Sequence, residues 1–211
     1  MYLPAHFAEN RLEVLHAAIA ANPLATLVTL QDGAVVADEI PFVLAPSADG
    51  SGGPGSLRAH VARANPLWQR HDVRKPVLVV FKGPQAYISP SWYATKAEHG
   101  KVVPTWNYII VQASGTLQHK DGDMLWLRKQ LDTITGTQES RLPQPWQVGD
   151  APEDYVAQMM RAVVGIEIPV ASLIGKWKVS QNQPAANREG VIAALNKHAA
   201  PMAQAVRDGA Q

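Results

Sequence analysis

The chain has 211 residues, no cysteine, and 19 basic against 18 acidic side chains. The absence of cysteine excludes disulfides, thiolate zinc sites and cysteine nucleophiles, so redox chemistry would need a borrowed cofactor. The balanced charge, without a Lys/Arg-rich tract, provides no electrostatic footprint for DNA.

The N-terminal residues lack the basic start and the apolar run of a signal peptide. No stretch of the sequence approaches the roughly 18 apolar residues that a membrane span requires. We therefore expect a cytoplasmic protein that has no membrane partner.

The first part of the sequence predicts one helix followed by strands. Leu12, Leu15 and Ile19 lie at helical spacing, and this helix should end at Asn22 because the following proline disfavours helical geometry there. Short apolar runs between turn residues then predict strands. A hairpin turn is expected at Gln31-Asp32-Gly33 between the first and second strands, and a turn at Gly83-Pro84 between the fourth and fifth. The predicted strands cover residues 24–30, 34–44, 57–61, 77–81, 85–89 and 106–117. Antiparallel strands with short turns favour a small barrel.

The second part of the sequence mixes helices and strands. A helix over residues 121–139 should be capped by Asp121 or Asp123. Its inward-facing residues are predicted to be Leu125, Leu131 and Ile134. Further predicted elements are helices over residues 153–162 and 187–206 and strands over 163–170 and 177–180.

The segment Gly50-Ser51-Gly52-Gly53-Pro54-Gly55 formally matches the G-x-G-x-x-G pattern of dinucleotide sites. That pattern binds a pyrophosphate where it leads from a strand into a helix. Here it lies among serine, aspartate and proline and precedes a predicted strand, so we interpret it as a surface loop.

Seven histidines are scattered along the chain, without H-E-x-x-H spacing or a tight cluster with carboxylates. No G-x-S-x-G elbow is present to carry a serine nucleophile. The sequence therefore predicts no metal site and identifies no catalytic residue. His60, Tyr108 and Glu39 are only candidates for acid–base chemistry.

Residues 60–68 run from a predicted strand into a helical turn near Asn65. A helix start exposes backbone N–H groups and Arg63 adds a cation, so this turn could bind an anion such as phosphate. The alternative is an ordinary capped turn with Arg63 facing solvent.

Two Trp and three Tyr fall between residues 87 and 108. Such aromatic side chains stack on planar ligands, and they also anchor dimer interfaces. The sequence is consistent with both interpretations.

Near the C-terminus, an extended segment would place Lys176, Lys178 and Ser180 on one face. Trp177 and Val179 would then point the other way and anchor the segment. A basic, hydrogen-bonding stripe would result, and the alternative is a solvated edge strand.

Together these segments resemble the PaiB-like family, which is described as FMN-binding negative transcriptional regulators. The matching stretches run in order through nearly the whole chain and cover residues 1–7, 23–29, 40–42, 60–68, 83–93, 103–108, 164–168 and 176–182.

The resemblance implies an α+β, β-rich fold, namely an FMN-binding split β-barrel with flanking helices and a C-terminal helix. A single domain would cover residues 1–211. Its barrel core would comprise residues 23–119 and 163–181, with helical additions at residues 5–22, 121–162 and 187–208.

The resemblance also implies a homodimer with FMN at the subunit interface. By analogy with pyridoxamine-phosphate oxidases of this barrel class, the turn from His60 to Arg63 would hold the phosphate. The segment from Lys176 to Gln181 would come from the other subunit. The residues expected to contact FMN are Thr26, His60, Val61, Arg63, Asn65, Trp106, Asn107, Lys176, Lys178 and Gln181.

Two functions follow from the resemblance. One is an FMN-binding regulator that acts on gene expression through flavin or metabolite binding, and the other is an FMN-dependent oxidoreductase or flavin reductase. Direct repression disagrees with the balanced charge, because DNA binding needs a basic surface. A haem-binding or haem-degrading protein is a weaker alternative, since Glu39 and Gln112 stand where histidine is common in the family.

Overall fold

The computed structural model describes residues 1–47 and 52–209, and these group into two compact units. Unit 1 contains Met1–Ala21, Lys82–Val111 and the described residues from Ile174 onward. Unit 2 contains the described residues of Asn22–Phe81 and Gln112–Leu173. The single domain expected from the sequence stays a prediction.

Nine strands occur within the described residues. They are β1 (Ala8–Glu9), β2 (Leu24–Gln31), β3 (Ala34–Pro41), β4 (Val43–Ala45), β5 (Ser56–Ala62), β6 (Val77–Ile88), β7 (Thr105–Gly115), β8 (Gln118–Lys120) and β9 (Val163–Lys178). Their order is β3-β2-β6-β7-β9-β5-β4, and β1 and β8 also pair with β9.

Seven α-helices lie in the same part of the chain. They are α1 (Leu12–Ala21), α2 (Leu67–Arg70), α3 (Thr95–His99), α4 (Met124–Glu139), α5 (Glu153–Arg161), α6 (Ala185–Leu195) and α7 (Ala200–Asp208). Short 3-10 turns cover Ala5–Phe7, Pro90–Trp92 and Val148–Asp150. Among the residues described, no helix is both long and apolar enough to cross a membrane.

Each unit has its own buried core. In unit 2, β2 alternates between buried and half-buried side chains, and Leu27 is completely buried. In unit 1, α6 and α7 pack on the end of β6 through a buried cluster that includes Ile88, Val179, Leu195 and Met202. Burying each large aliphatic side chain stabilises the fold by about 1.5–3 kcal/mol.

The hairpin of β2 and β3 confirms the predicted turn. The strands are antiparallel, with Gln31 opposite Ala34. Asp32 and Gly33 have φ angles of 50° and 85°, which match the twist that a two-residue hairpin requires. The predicted return strand over residues 34–44 is nevertheless two strands. Phe42 interrupts it because its N–H donates to the carbonyl of Pro23 at 2.8 Å.

Two long strands replace pairs of predicted short ones. β6 continues through Gly83-Pro84, where we expected a turn. A Cβ on Gly83 would lie 3.1 Å from Cβ of Ile109, so the missing side chain leaves room for β7 beside the strand. β9 likewise runs unbroken to Lys178, because β1 pairs with it at Gly175 and Lys176.

Two helical predictions are corrected. Asp123 caps α4, since its carboxylate accepts from the N–H of Trp126 at 3.0 Å. Leu125 is 79% exposed, however, and Leu127 is buried instead, because Leu127 is four residues before Leu131 and shares its face of the helix, whereas Leu125 does not. The predicted final helix is two helices, and Pro201 in the first turn of α7 starts the second.

The G-x-G-x-x-G segment lies partly outside the described residues, since Gly50 and Ser51 are not among them. Gly52 to Gly55 form no regular structure and lead into β5. The described part of this segment is a loop that precedes a strand.

Gly115 ends β7 at a point where a Cβ would lie 2.0 Å from the carbonyl oxygen of Pro169. We expect Gly115→Ala to lower the free energy of unfolding by about 1–3 kcal/mol, because backbone must move to admit the methyl group. The matched control is Gly136→Ala in α4, where a Cβ meets nothing within 4 Å. It should raise the free energy by about 0.5–1 kcal/mol. Urea denaturation measures both, and an unchanged Gly115→Ala protein would contradict the close approach.

Candidate functional site

The ends of β7 and β9 give unit 1 a surface of aromatic and basic side chains. Trp106 and Tyr108 alternate with the buried Asn107 along β7, and therefore share one face of the strand. Lys176 and Lys178 share a face of β9 for the same reason. We call this surface the aromatic–cationic face, and it consists of Tyr2, Tyr87, Trp106, Tyr108, Lys176 and Lys178.

The aromatic part of this face is open to solvent. Trp106 is 55% exposed and Tyr87 is 45% exposed. Their ring centroids lie 6.0 Å apart with the rings edge to face. Exposed rings held in this way can stack on a planar aromatic ligand.

The two lysine ammonium groups are held by neutral oxygens and aromatic rings. Lys176 is only 8% exposed. Its Nζ donates to the carbonyl of Tyr2 at 3.0 Å and lies 5.3 Å from the ring centroid of Tyr108. Lys178 Nζ donates to the carbonyl of Trp106 at 2.7 Å and to Thr105 Oγ1.

Neither ammonium has a counter-ion among the described residues, where no carboxylate lies within ion-pairing distance of Lys176 or Lys178. Burial lowers the pKa of the Lys178 ammonium, and the positive charge of Lys176 lowers it further. A partly buried cation without a counter-ion is stabilised by an anion. The face is therefore suited to a ligand that has both a planar ring and a negative charge.

Polar groups of the turn after β5 in unit 2 already have hydrogen-bond partners within the protein. Arg63 donates to Asp121 Oδ1 at 2.8 Å and to the carbonyl of Arg161 at 2.8 Å. Asn65 Oδ1 accepts from the N–H of Leu67 at 2.8 Å. This arrangement matches the capped turn of the alternative interpretation, because Asn65 caps the turn and two guanidinium nitrogens of Arg63 already have protein acceptors.

The other predicted contacts in unit 2 are also occupied or buried. Thr26 Oγ1 donates to Glu39 Oε1 at 2.5 Å. Val61 is 6% exposed and belongs to the core. His60 differs from these, because its Nδ1 is buried without a hydrogen-bond partner and burial lowers the pKa of the imidazole.

The chain leaves β9 sharply after Lys178, which changes the predicted stripe. Ser180 has a φ of 63°, in the left-handed region, so it does not continue the lysine face. Its Oγ accepts from Asn107 Nδ2 at 2.8 Å. Gln181 folds back, because its Nε2 donates to the carbonyl of Trp177 at 2.5 Å and to that of His6 at 3.1 Å. Asn107 and Gln181 thus shape the turn rather than face solvent.

A pocket of about 390 Å³ lies in unit 1 beside the ends of β7 and β9. We call it the β7–β9 pocket. The polar side chains that line it include Thr95, His99, Lys101, Thr105, Lys178 and Ser180. Sequence reasoning identified Lys178 and Ser180 but missed Thr95, His99 and Lys101, since α3 and the loop after it show no motif. Thr105 lies in the matching stretch 103–108 but was assigned no role.

The fold recurs in solved structures of flavin proteins. Similar structures are the flavocytochrome Anf3 from Azotobacter vinelandii (TM-score 0.57, 14% identity, 81% of this chain and 69% of that chain) and the FAD and heme binding protein from Mycobacterium smegmatis (0.52, 16%, 81% and 73%). A conserved hypothetical protein from Mycobacterium tuberculosis is also similar (0.57, 12%, 87% and 94%). The protein therefore has the α+β, strand-rich split-barrel fold that the sequence predicted.

The sequence comparisons identify the family. The model described as "Putative FMN-binding domain" matches residues 1–172, and the chain belongs to that family. An uncharacterised protein of Emericella nidulans is 36% identical over 91% of this chain and 89% of its own length. The Bacillus subtilis protease synthase and sporulation protein PAI 2 is 28% identical over 99% of this chain and 97% of its own length. The resemblance to the PaiB-like family is confirmed, and FMN is the cofactor of the family.

The lowered pKa of the His60 imidazole predicts that the stability of the protein depends on pH. The pKa of this imidazole in the folded protein lies below the ordinary 6.5 because of burial. The unfolded chain therefore binds more protons than the folded one as the pH falls below 6.5, and the free energy of unfolding decreases there. We expect His60→Gln to lose less stability than the wild type between about pH 8 and about pH 5.

Urea denaturation at the two pH values measures this difference. The control is His198→Gln, which replaces an exposed histidine. Equal losses in the wild type and His60→Gln would show that His60 titrates normally.

Proposed function

We propose that this chain binds FMN non-covalently on the aromatic–cationic face and acts on gene expression through flavin or metabolite binding. The observation that carries the proposal is the pair of lysine ammonium groups, which no carboxylate neutralises in the described part of the chain, beside exposed aromatic rings. FMN has the complementary parts, a planar ring system and an anionic phosphate. When bound, it would supply the electron-transfer chemistry that a chain without cysteine lacks.

The side chains of unit 1 take separate roles in this proposal. Trp106 and Tyr87 would stack on the ring system, while Lys176 and Lys178 would attract the phosphate. The turns made by Asn107 and Gln181 would hold the ends of β7 and β9 in place. These roles use donors and rings whose geometry is already set by the protein, which keeps the entropic cost of binding low.

The residues of unit 2 remain proposed flavin contacts. They are Thr26, His60, Val61, Arg63 and Asn65. Arg63 would bind the phosphate through guanidinium N–H groups other than those accepted by Asp121 and by the carbonyl of Arg161. A lower FMN affinity in an Arg63→Met variant would support this role, and an unchanged affinity would oppose it.

The regulatory part of the proposal is supported by one relative. The Bacillus subtilis protein PAI 2 is named for protease synthesis and sporulation. An indirect route fits the balanced charge of this chain better than direct DNA binding does. A salt-sensitive gel shift with genomic promoter DNA at micromolar protein would contradict the indirect route.

We also propose a homodimer, supported by exposed apolar side chains in unit 1. Tyr2 is 83% exposed, Val103 is 73% exposed and Trp106 is 55% exposed. Large apolar side chains in one region favour association. Sedimentation velocity tests this proposal, and a monomer at micromolar concentration would contradict it.

An FMN-dependent oxidoreductase is the second candidate function. The observation that favours it is the β7–β9 pocket, because Lys178 belongs both to that pocket and to the aromatic–cationic face. A substrate in the pocket would therefore lie beside the proposed flavin site. Turnover of NAD(P)H with added FMN above the free-flavin background would support this function.

Substitutions on the aromatic–cationic face test FMN binding. We expect Trp106→Ala and Lys176→Met each to weaken FMN binding by about tenfold or more, because they remove a stacking surface and a buried positive charge. Quenching of flavin fluorescence in a titration measures the affinity. Lys129→Met, which removes an exposed lysine of α4 in unit 2, is the matched control and should leave it unchanged. Wild-type protein that neither carries flavin when purified nor quenches added FMN would contradict the proposal.

A further inference from the structure

The β7–β9 pocket presents hydroxyl groups as donors. Three of its hydroxyl oxygens each accept a hydrogen bond from a side-chain nitrogen: Thr95 from Asn187, Thr105 from Lys178, and Ser180 from Asn107. Among the residues described, none of these three O–H groups donates to a protein acceptor. Because a hydroxyl has one proton to donate, each proton remains available to a ligand.

His99 also presents a donor to the pocket. Its Nδ1 accepts from the backbone N–H of Lys101 at 3.0 Å. In the neutral ring the proton then lies on Nε2, and that nitrogen is a donor. The ammonium groups of Lys101 and Lys178 add further donors. A ligand that satisfies this lining must be rich in acceptors.

The charge of the lining also favours an acceptor-rich ligand, and in particular an anion. Among the described residues that line the pocket, His99, Lys101 and Lys178 are basic and none is acidic. The N-terminus of α6 also lines it through the preceding residue Pro184 and through Asn187 in the first turn, and a helix N-terminus favours negative charge. An acceptor-rich ligand with a negative charge is therefore favoured over a cation or an apolar molecule.

The pocket is built in advance of binding. Asn187 is 3% exposed and bonds to both the N–H and the Oγ1 of Thr95 and to Gln183 Oε1. Tyr93, Asn107 and Ser180 are also at least 94% buried, at 6%, 1% and 3% exposure. Buried polar groups with defined partners hold their positions, so a ligand pays only a small entropic cost for ordering the pocket. The volume of about 390 Å³ lies within the range of small-molecule sites, about 300–1,000 Å³.

We propose that the β7–β9 pocket binds a small organic anion, either a carboxylate or a phosphate ester, separately from FMN. Its charged group lies beside Lys101, which lines the pocket and is not part of the aromatic–cationic face. Its oxygens accept from the hydroxyl groups of Thr95, Thr105 and Ser180. This ligand site exists whether or not the aromatic–cationic face binds FMN.

The experiment is an NMR titration of the ¹⁵N-labelled full chain, with and without FMN. Inorganic phosphate and acetate are the two anionic probes, and glycerol is the neutral probe. We expect saturable shifts of the backbone amides of Thr95, Lys101 and Ser180 with at least one anion, and none with glycerol. The anion that binds more tightly assigns the ligand to the phosphate esters or to the carboxylates.

Variants outside the proposed flavin face test the site. Lys101→Met should weaken anion binding by about tenfold while FMN affinity stays unchanged, because it removes an exposed charge of the pocket. Ser180→Gly should also weaken anion binding, since it deletes the hydroxyl and keeps the left-handed backbone. Lys129→Met is the control, and it should leave the shifts unchanged.

Three results would overturn the proposal. The first is the absence of saturable shifts in the pocket with either anion. The second is equal weakening by Lys101→Met and Lys129→Met, which would indicate general charge screening. The third is displacement of phosphate by FMN, because the pocket would then be the phosphate site of the flavin itself. A chain that binds the anion but not FMN would leave this inference intact and remove only the proposed function.

Discussion

Strand pairing by β9 is the constraint on which each unit depends, because residues of β9 pair with β5 within unit 2 and with β1 within unit 1. In unit 2 it pairs with β5 over seven residues, from Ser56 opposite Pro169 to Ala62 opposite Val163. Within that stretch Glu167, 9% exposed, accepts from Arg58 Nε at 2.7 Å and pairs with Lys120 Nζ at 3.0 Å. Burial would raise the pKa of this carboxyl group, but the two cations hold it below its ordinary value. Removing either cation would leave a buried charge with less compensation, which is costly.

The cations on and near β9 are of two kinds, those paired with a carboxylate and those that are not. In unit 2, Arg58 and Lys120 are paired with Glu167, and Arg63 is paired with Asp121. Where β9 continues into unit 1, its lysines have neutral oxygens and aromatic rings as partners. Among the described residues, Lys176 and Lys178 therefore lack a counter-ion, whereas Arg58, Lys120 and Arg63 each have one. This contrast leaves the lysines of β9 with positive charge that no carboxylate of the described residues neutralises, which favours an anionic ligand there.

The sequence predicted the element types well where local chemistry determines them. The Asp32-Gly33 turn and the Asp123 cap each follow from one or two residues, and both are present. The predictions that were wrong concern positions where distant residues decide. Gly83-Pro84 reads as a turn, yet Ile109 lies so close to Gly83 that the pair remains in the strand. In the site, Lys176, Lys178 and Trp106 were identified from their segments, while Thr95 and Lys101 were missed because α3 and the loop after it show no pattern.

The sequence by itself determined the absence of thiol chemistry, the balanced charge, the alternation of the strands and the family of the chain. These properties depend on composition or on residues close together in the chain. Tertiary structure alone decided which cations are neutralised and which hydroxyl protons remain free. Arg63 meets Asp121, and Asn107 meets Ser180, across long stretches of chain. Such long-range contacts decide whether a charged or polar group is already occupied within the protein or can bind a ligand. No local sequence pattern predicts these contacts.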